Sequence, residues 1–280
     1  MLSGEFFRFE AGSTNAGALV ACSDVVEEVR LAAADSWLVE NGRSRSIQAH
    51  FDRFAAWVEA ACPKLAADLP RFFELVREAI PVEGRWFPRI ELHLETTPVG
   101  DTAIDDLLPA LYLRLREAPE QAGEIVLWTL PEPDPRANPR VKGPDLSLGM
   151  QLRRKAIFHE ADEAVLLTSD GYLEEGALSS IVWWRTSPSG DVLCAPDDSV
   201  PWLHSVTRDE VFGLAAAMGF QTRLERAKPS DLVGLEIWAL SSLHGIRPVT
   251  DWVNLGSPVG GIRHAESFQK RLRLLATQIR

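Results

Sequence analysis

The chain opens with short runs in which apolar residues recur every second or third position, and these read as strands. FFRFE, GALVA and EVRLA fit that description, with Asn15 and Gly17 marking a turn between the first two. SWLVENGRSRSI contains Asn41-Gly42, a strong hairpin signal, because both residues tolerate the positive φ that a tight turn needs. From Ile47 the period changes. Ile47, Phe51, Phe54, Val58 and Ala61 recur at helical spacing, and PRFFELVREAI supports a second helix. RWFPRIELHLE, ALYLRLRE and GEIVLWTL return to strand-like patterning.

That patterning stops at LPEPDPRANPRVKGPD, which holds five of the 18 prolines and predicts an irregular, extended segment. A boundary just before it, near residue 130, divides the chain into an N-terminal α/β domain (1–130) and a C-terminal domain (131–280). Beyond it the pattern predicts a helix over LSLGMQLRRKAIFHEA. Two strand–turn–strand units follow, AVLLTSDGYLEEG and IVWWRTSPSGDVLCAP, then a helix over TRDEVFGLAAAMG stopped by Gly219. EIWALSS is a strand and SFQKRLRLLATQI a closing helix. Strands in both halves with helices packed on them give an α+β or mixed α/β fold.

Composition narrows the function. With 46% hydrophobic residues the chain can bury a sizeable core. A net charge of −11 argues against binding a nucleic-acid backbone, which depends on Lys and Arg neutralising phosphates. It leaves room for a small anion held by a few local arginines. No apolar run approaches the ~18 residues of a membrane span. MLSGEFFRFE carries Glu5 and Glu10 and lacks a signal pattern, so the cytoplasm is expected. Cys22, Cys62 and Cys194 have neither metal-site nor disulfide spacing and read as free thiols.

The candidate chemistry begins at Lys142, which closes the proline-rich segment immediately before a helix. Taken alone it is a solvated charge, and Glu175 taken alone is an exposed turn residue. Between them lie the helix, Ala161-Asp162-Glu163, a strand and Asp170-Gly171; after Glu175-Gly176 comes the strand Ser180-Ile181-Val182-Trp183-Trp184. This order and spacing resembles the class IV aminotransferases: the branched-chain and D-amino acid transaminases and aminodeoxychorismate lyase. The resemblance implies the two-domain D-amino acid aminotransferase-like fold, with pyridoxal 5′-phosphate between the domains, in a homodimer. It implies Lys142 as the Schiff-base lysine that also shuttles the substrate α-proton. It implies Glu175 as the carboxylate beside the pyridine nitrogen, where a negative neighbour favours the protonated, electron-withdrawing ring.

HFDRF resembles the family's H-x-x-R-L segment, which makes Arg53 the candidate phosphate ligand; its planar fork suits phosphate oxygens. Ser205-Val206-Thr207-Arg208 resembles G-I-T-R. Val206 and Thr207 then contact the phosphate at a helix N-terminus, with Thr207 also a good capping residue. Ser242, before Ile246-Arg247-Pro248-Val249, is a third phosphate or substrate contact by the same resemblance. Arg89 in WFPRIEL falls where transaminases place an arginine near the substrate carboxylate. Glu40 and Arg43 in LVENGR resemble the family's F-E-x-x-R strand and are assigned to substrate binding. Trp183 and Trp184 read as core.

The match is good over residues 35–54 and 142–249. Ser147 stands where many family transaminases carry a tyrosine, and Ser180 replaces the asparagine of the N-I/L-F strand. Three readings stay open. One is amino transfer between an amino acid and a keto acid. Another is elimination of pyruvate from aminodeoxychorismate to leave 4-aminobenzoate. The last is a relative that binds cofactor or phosphate without turnover.

Overall fold

The computed structural model describes residues 5–11, 17–22, 29–96, 107–188 and 190–280; the turn expected at Asn15 lies outside them. Contacts gather the chain into two compact units: residues 1–119, 141–144 and 275–280 in unit 1, and 120–140 and 145–274 in unit 2. Among the described residues no helix is long and apolar enough to cross a membrane.

Unit 1 begins with β1 (Glu5–Glu10), β2 (Ala18–Ala21) and β3 (Val29–Ser36). The hairpin strands β4 (Val39–Glu40) and β5 (Arg43–Ser44) turn through Asn41 and Gly42, both at positive φ (48° and 71°), as that dipeptide requires. Helices α1 (Ile47–Ala61) and α2 (Leu69–Ala79) follow, then β6 (Arg85–Trp86), β7 (Arg89–Thr96) and β8 (Leu107–Leu115). The main sheet is antiparallel in the order β2-β1-β8-β7-β3. Phe51, Phe54 and Val58 of α1 and Phe72 and Val76 of α2 share a core with Ala33, Ile90, Leu92, Leu111 and Leu113 of that sheet. Because side chains alternate across a strand, the intervening residues Arg89, Glu91, His93, Tyr112 and Arg114 fall on the opposite face.

Unit 2 contains β9 (Ile125–Thr129), α3 (Leu146–Ile157), β10 (Glu163–Leu167), β11 (Leu173–Gly176), β12 (Ser180–Ser187) and β13 (Gly190–Ala195). It continues with α4 (Val206–Ala217), β14 (Gln221–Leu224), β15 (Ile237–Ser241), β16 (Gly245–Trp252) and α5 (Ala265–Leu274). One eight-stranded mixed sheet has the order β11-β10-β9-β16-β15-β12-β13-β14. It is parallel at β10/β9, β16/β9 and β13/β14. Both its faces are covered, so its strands read as continuous apolar runs. On β12, Trp183 joins Val192, Cys194, Ile237 and Ala239, while Trp184 joins Leu193, Trp238, Val211 of α4 and Phe268 of α5. Both tryptophans are core, as expected.

Several elements depart from the sequence expectation. β9 pairs in parallel with β10 and β16 and therefore packs in unit 2, although a boundary near residue 130 would leave it in the N-terminal domain. Lys142, expected in the C-terminal domain, belongs with Val141–Pro144 to unit 1. The closing helix ends at Leu274, and a short β17 (Thr277–Gln278) then pairs with β5, completing the small sheet β17-β5-β4-β6 of unit 1. β16 is a full strand although Pro248 lies within it; a register irregularity follows between Val249 and Asp251.

Candidate active site

Lys142 is half-buried and its backbone is fixed to β3: its carbonyl accepts the N–H of Ala34 at 2.6 Å. Gly143 makes this approach possible. Its φ is +152°, and a Cβ there would lie 2.7 Å from the Cα of Ala33, so any other residue would push the lysine loop off the strand.

The next residue of β3 holds Arg53. Asp35 is wholly buried, and its carboxylate takes Arg53 Nε at 2.7 Å and Nη2 at 2.8 Å, with His50 Nδ1 2.8 Å from Oδ1. His50 and Arg53 are three residues apart on α1, hence on one face of that helix. Burial pushes the Asp35 carboxyl up, but Arg53 and then His50 more than offset it and hold it well below the usual carboxylate range. The bidentate grip fixes the plane of the guanidinium. Sequence reasoning missed Asp35. Its one signal is an acid inside the otherwise apolar run LAAADSW.

Glu175, on β11 in unit 2, is buried, and burial pushes its carboxyl up; Arg136 acts against that shift. Its Oε1 accepts Arg136 Nη1 at 2.7 Å and the N–H of Leu203 at 3.0 Å. The second bond ties Glu175 to the loop that starts α4. Beside it lies a narrow cleft lined by Glu174, Glu175, Ser180, Trp202 and Arg208, among others. The Arg208 guanidinium stacks on Trp202, 3.4 Å from the ring centre. Ser180 therefore faces the same cleft as Glu175, whereas Ser147 is exposed on the first turn of α3.

At α4 the cap is Ser205, not Thr207: its side chain accepts the N–H of Arg208 at 3.2 Å. Val206 and Thr207, both buried, are the first two helical residues, whose amides precede any intrahelical carbonyl. Buried amides of that kind suit an anion. Ser242 occupies the tip of the β15–β16 hairpin, where Gly245 takes φ +70°.

Arg89 belongs to a charged cluster on the face of the unit 1 sheet opposite α1 and α2. Glu91, buried, receives Arg89, His93 and, at 3.3 Å, Arg114. Burial raises the Glu91 carboxyl, yet His93, Arg89 and Arg114 bring it down to about 2. Arg116 is pushed down to about 10 by burial and by Arg89 and Arg114. Two guanidiniums and an imidazole thus share one carboxylate, while Arg116 donates to the carbonyl of Phe87 at 2.9 Å. Glu40 and Arg43 are in neither cluster. Both are exposed on the β4–β5 hairpin, where Glu40 pairs with Arg85 at 2.8 Å and Arg43 donates to the carbonyl of Ala276.

These donor sets fit pyridoxal phosphate. Arg53 is a guanidinium held in one plane, and the Val206 and Thr207 amides open a helix; groups of both kinds suit a phosphate. A buried carboxylate beside a narrow cleft suits a protonated ring nitrogen, and Lys142 is an amine on a fixed backbone. A chain with this fold and these groups is of the pyridoxal-phosphate-dependent, fold type IV class. The family model "Amino-transferase class IV" matches residues 32–252, and the chain belongs to that family. A search of curated proteins matches none of them.

Solved structures share the fold. A hypothetical aminotransferase from Mycobacterium tuberculosis, apo form, is 19% identical, covers 98% of each chain and has a TM-score of 0.74. The branched-chain aminotransferase of Thermoproteus uzoniensis with norvaline is 14% identical over 99% of this chain and 100% of its own, with a TM-score of 0.79. The branched-chain aminotransferase of Escherichia coli is 16% identical over 97% and 92%, with a TM-score of 0.75.

Proposed function

We propose that the protein transfers an amino group between an amino acid and a keto acid, with Lys142 carrying the cofactor through its ε-amine. One observation carries the assignment. Consecutive residues of β3 hold the Lys142 backbone and, through Asp35, the Arg53 guanidinium, so one strand fixes an amine and a phosphate ligand together.

Pyridoxal phosphate, when bound, supplies an aldehyde that condenses with amines and a ring that withdraws electrons from the substrate α-carbon. Arg53, the amides of Val206 and Thr207, and Ser242 would hold its phosphate. Glu175 would hold a proton at the ring nitrogen. The Lys142 amine would carry the cofactor and would be the base that holds the proton taken from the substrate α-carbon. Arg89, with Arg114 and Arg116 behind it, binds a substrate carboxylate. A form of the M. tuberculosis protein with alpha-ketoglutarate bound supports a keto acid of that kind as acceptor. On the family resemblance the active species is a cytoplasmic homodimer, and light scattering tests its mass.

Protein reconstituted with pyridoxal phosphate is expected to be yellow, to bleach with borohydride, and to yield a reduced, labelled peptide containing Lys142. Lys142→Ala should lose the label and at least about a thousandfold in rate. Colourless protein after reconstitution overturns the proposal. Release of pyruvate and 4-aminobenzoate from aminodeoxychorismate without any keto acid would replace transfer with elimination.

A further inference from the structure

Glu175 does not stand alone. Asp134 and Arg136, from the proline-rich segment, and Glu174, the residue before Glu175, are all buried or nearly so around it. Arg136 gives Nε to both Asp134 oxygens at 3.1 and 2.9 Å, and Nη1 to Glu175. Burial first, and then Asp134 beside it, pushes the Glu174 carboxyl up to about 8. Its Oε2 is buried without a hydrogen-bond partner and stands 3.6 Å from Arg136 Nη2. Three carboxyl groups therefore face one guanidinium. The other charge lining the cleft is Arg208 of α4, near Asp209 and facing Asp198 electrostatically.

We propose that Asp134, Arg136 and Glu174 are positioning residues that aim Glu175 at the cofactor's ring nitrogen. The proposal rests on the assignment of pyridoxal phosphate to this protein. Asp134 anchors the Nε edge of the guanidinium, which leaves Nη1 directed at Glu175 Oε1. Without Arg136, the N–H of Leu203 is left to oppose burial, and the Glu175 carboxyl is pushed further toward its protonated form, which cannot stabilise a protonated ring.

The test reads the ring nitrogen directly. Wild type, Arg136→Met, Asp134→Asn and Glu174→Gln are reconstituted with pyridoxal phosphate labelled with 15N in the ring. Cofactor affinity is measured alongside the 15N shift. Wild type and Glu174→Gln, which keeps a neutral hydrogen-bonding group, should show the protonated-ring shift. Arg136→Met should show the deprotonated shift with roughly tenfold or more weaker cofactor binding. Asp134→Asn, nearly isosteric, should move the same way by less, and it carries the test if Arg136→Met fails to fold. Protonated-ring shifts in every folded variant, with Lys142 still labelled, overturn the proposal alone, whatever the melting temperatures do. Failure of wild type to bind the cofactor overturns this proposal together with the assignment beneath it.

Discussion

The two units bury charge in opposite ratios. In unit 1 a single carboxylate, Asp35, faces a guanidinium and an imidazole, and stays ionised far below the ordinary range. In unit 2 three carboxyl groups, Asp134, Glu174 and Glu175, face one guanidinium, and Glu174 is pushed up to about 8, by burial first and then by Asp134. The first arrangement gives a buried carboxylate that stays ionised, and the second gives one that keeps its proton up to near neutral pH.

Unit 1 offers the sharpest way to break the contrast. Asp35→Ala leaves a buried guanidinium and imidazole without their carboxylate, and loss of one partner from a buried pair costs about 3–5 kcal/mol. Urea unfolding should show a lowered midpoint with an unchanged slope. A cost below about 1 kcal/mol would mean that Asp35 does not organise the cluster. The sign with pH follows from its depressed folded value. Its contribution is present above the unfolded pKa near 4 and is lost as pH falls through the folded one.

Unit 2 should respond in the opposite direction, by less. Burial raises Glu163, hydrogen bonded to Ser179, to about 7, and Glu174 to about 8. Both folded values lie above the unfolded one, so the folded chain binds more protons between about pH 4.5 and those limits. Stability therefore falls as pH rises through that window, by on the order of 1 kcal/mol per group. Glu163→Gln and Glu174→Gln should each flatten the decline between pH 5 and 8, measured as unfolding free energy against pH. A slope unchanged in both variants would show that neither group titrates there.

The difference between the clusters also explains what the sequence exposed. Helices α1, α2 and α4 and the Asn41-Gly42 hairpin were legible because periodicity and turn chemistry are local. β16 was not, because Pro248 argues against a central strand, yet the strand lies between β9 and β15. Arg53, Glu175, Val206 and Thr207 could be singled out from motif spacing. Asp35, Arg136 and Glu174 could not, because each is defined by a partner across the fold: Asp35 meets Arg53 over 18 residues and Arg136 meets Glu175 over 39. An acid in an alanine-rich strand and an arginine among prolines carry no local mark of burial.

The same blindness put Glu40 and Arg43 forward, five residues from the acid that holds Arg53, and they provide the smallest expected effect. An ion pair between side chains 46% and 41% exposed, as Glu40 and Arg85 are, contributes at most about 0.5 kcal/mol, because water screens it and two long side chains lose freedom to make it. Arg43 bonds an exposed carbonyl and gains as little. Glu40→Ala and Arg43→Ala should leave borohydride labelling of Lys142, cofactor affinity and the urea midpoint within error of wild type. A tenfold loss of cofactor or substrate affinity in either variant would bring the hairpin into the site. The hairpin's exposed charges would then have to be counted with the buried clusters, and burial would no longer mark which charges matter.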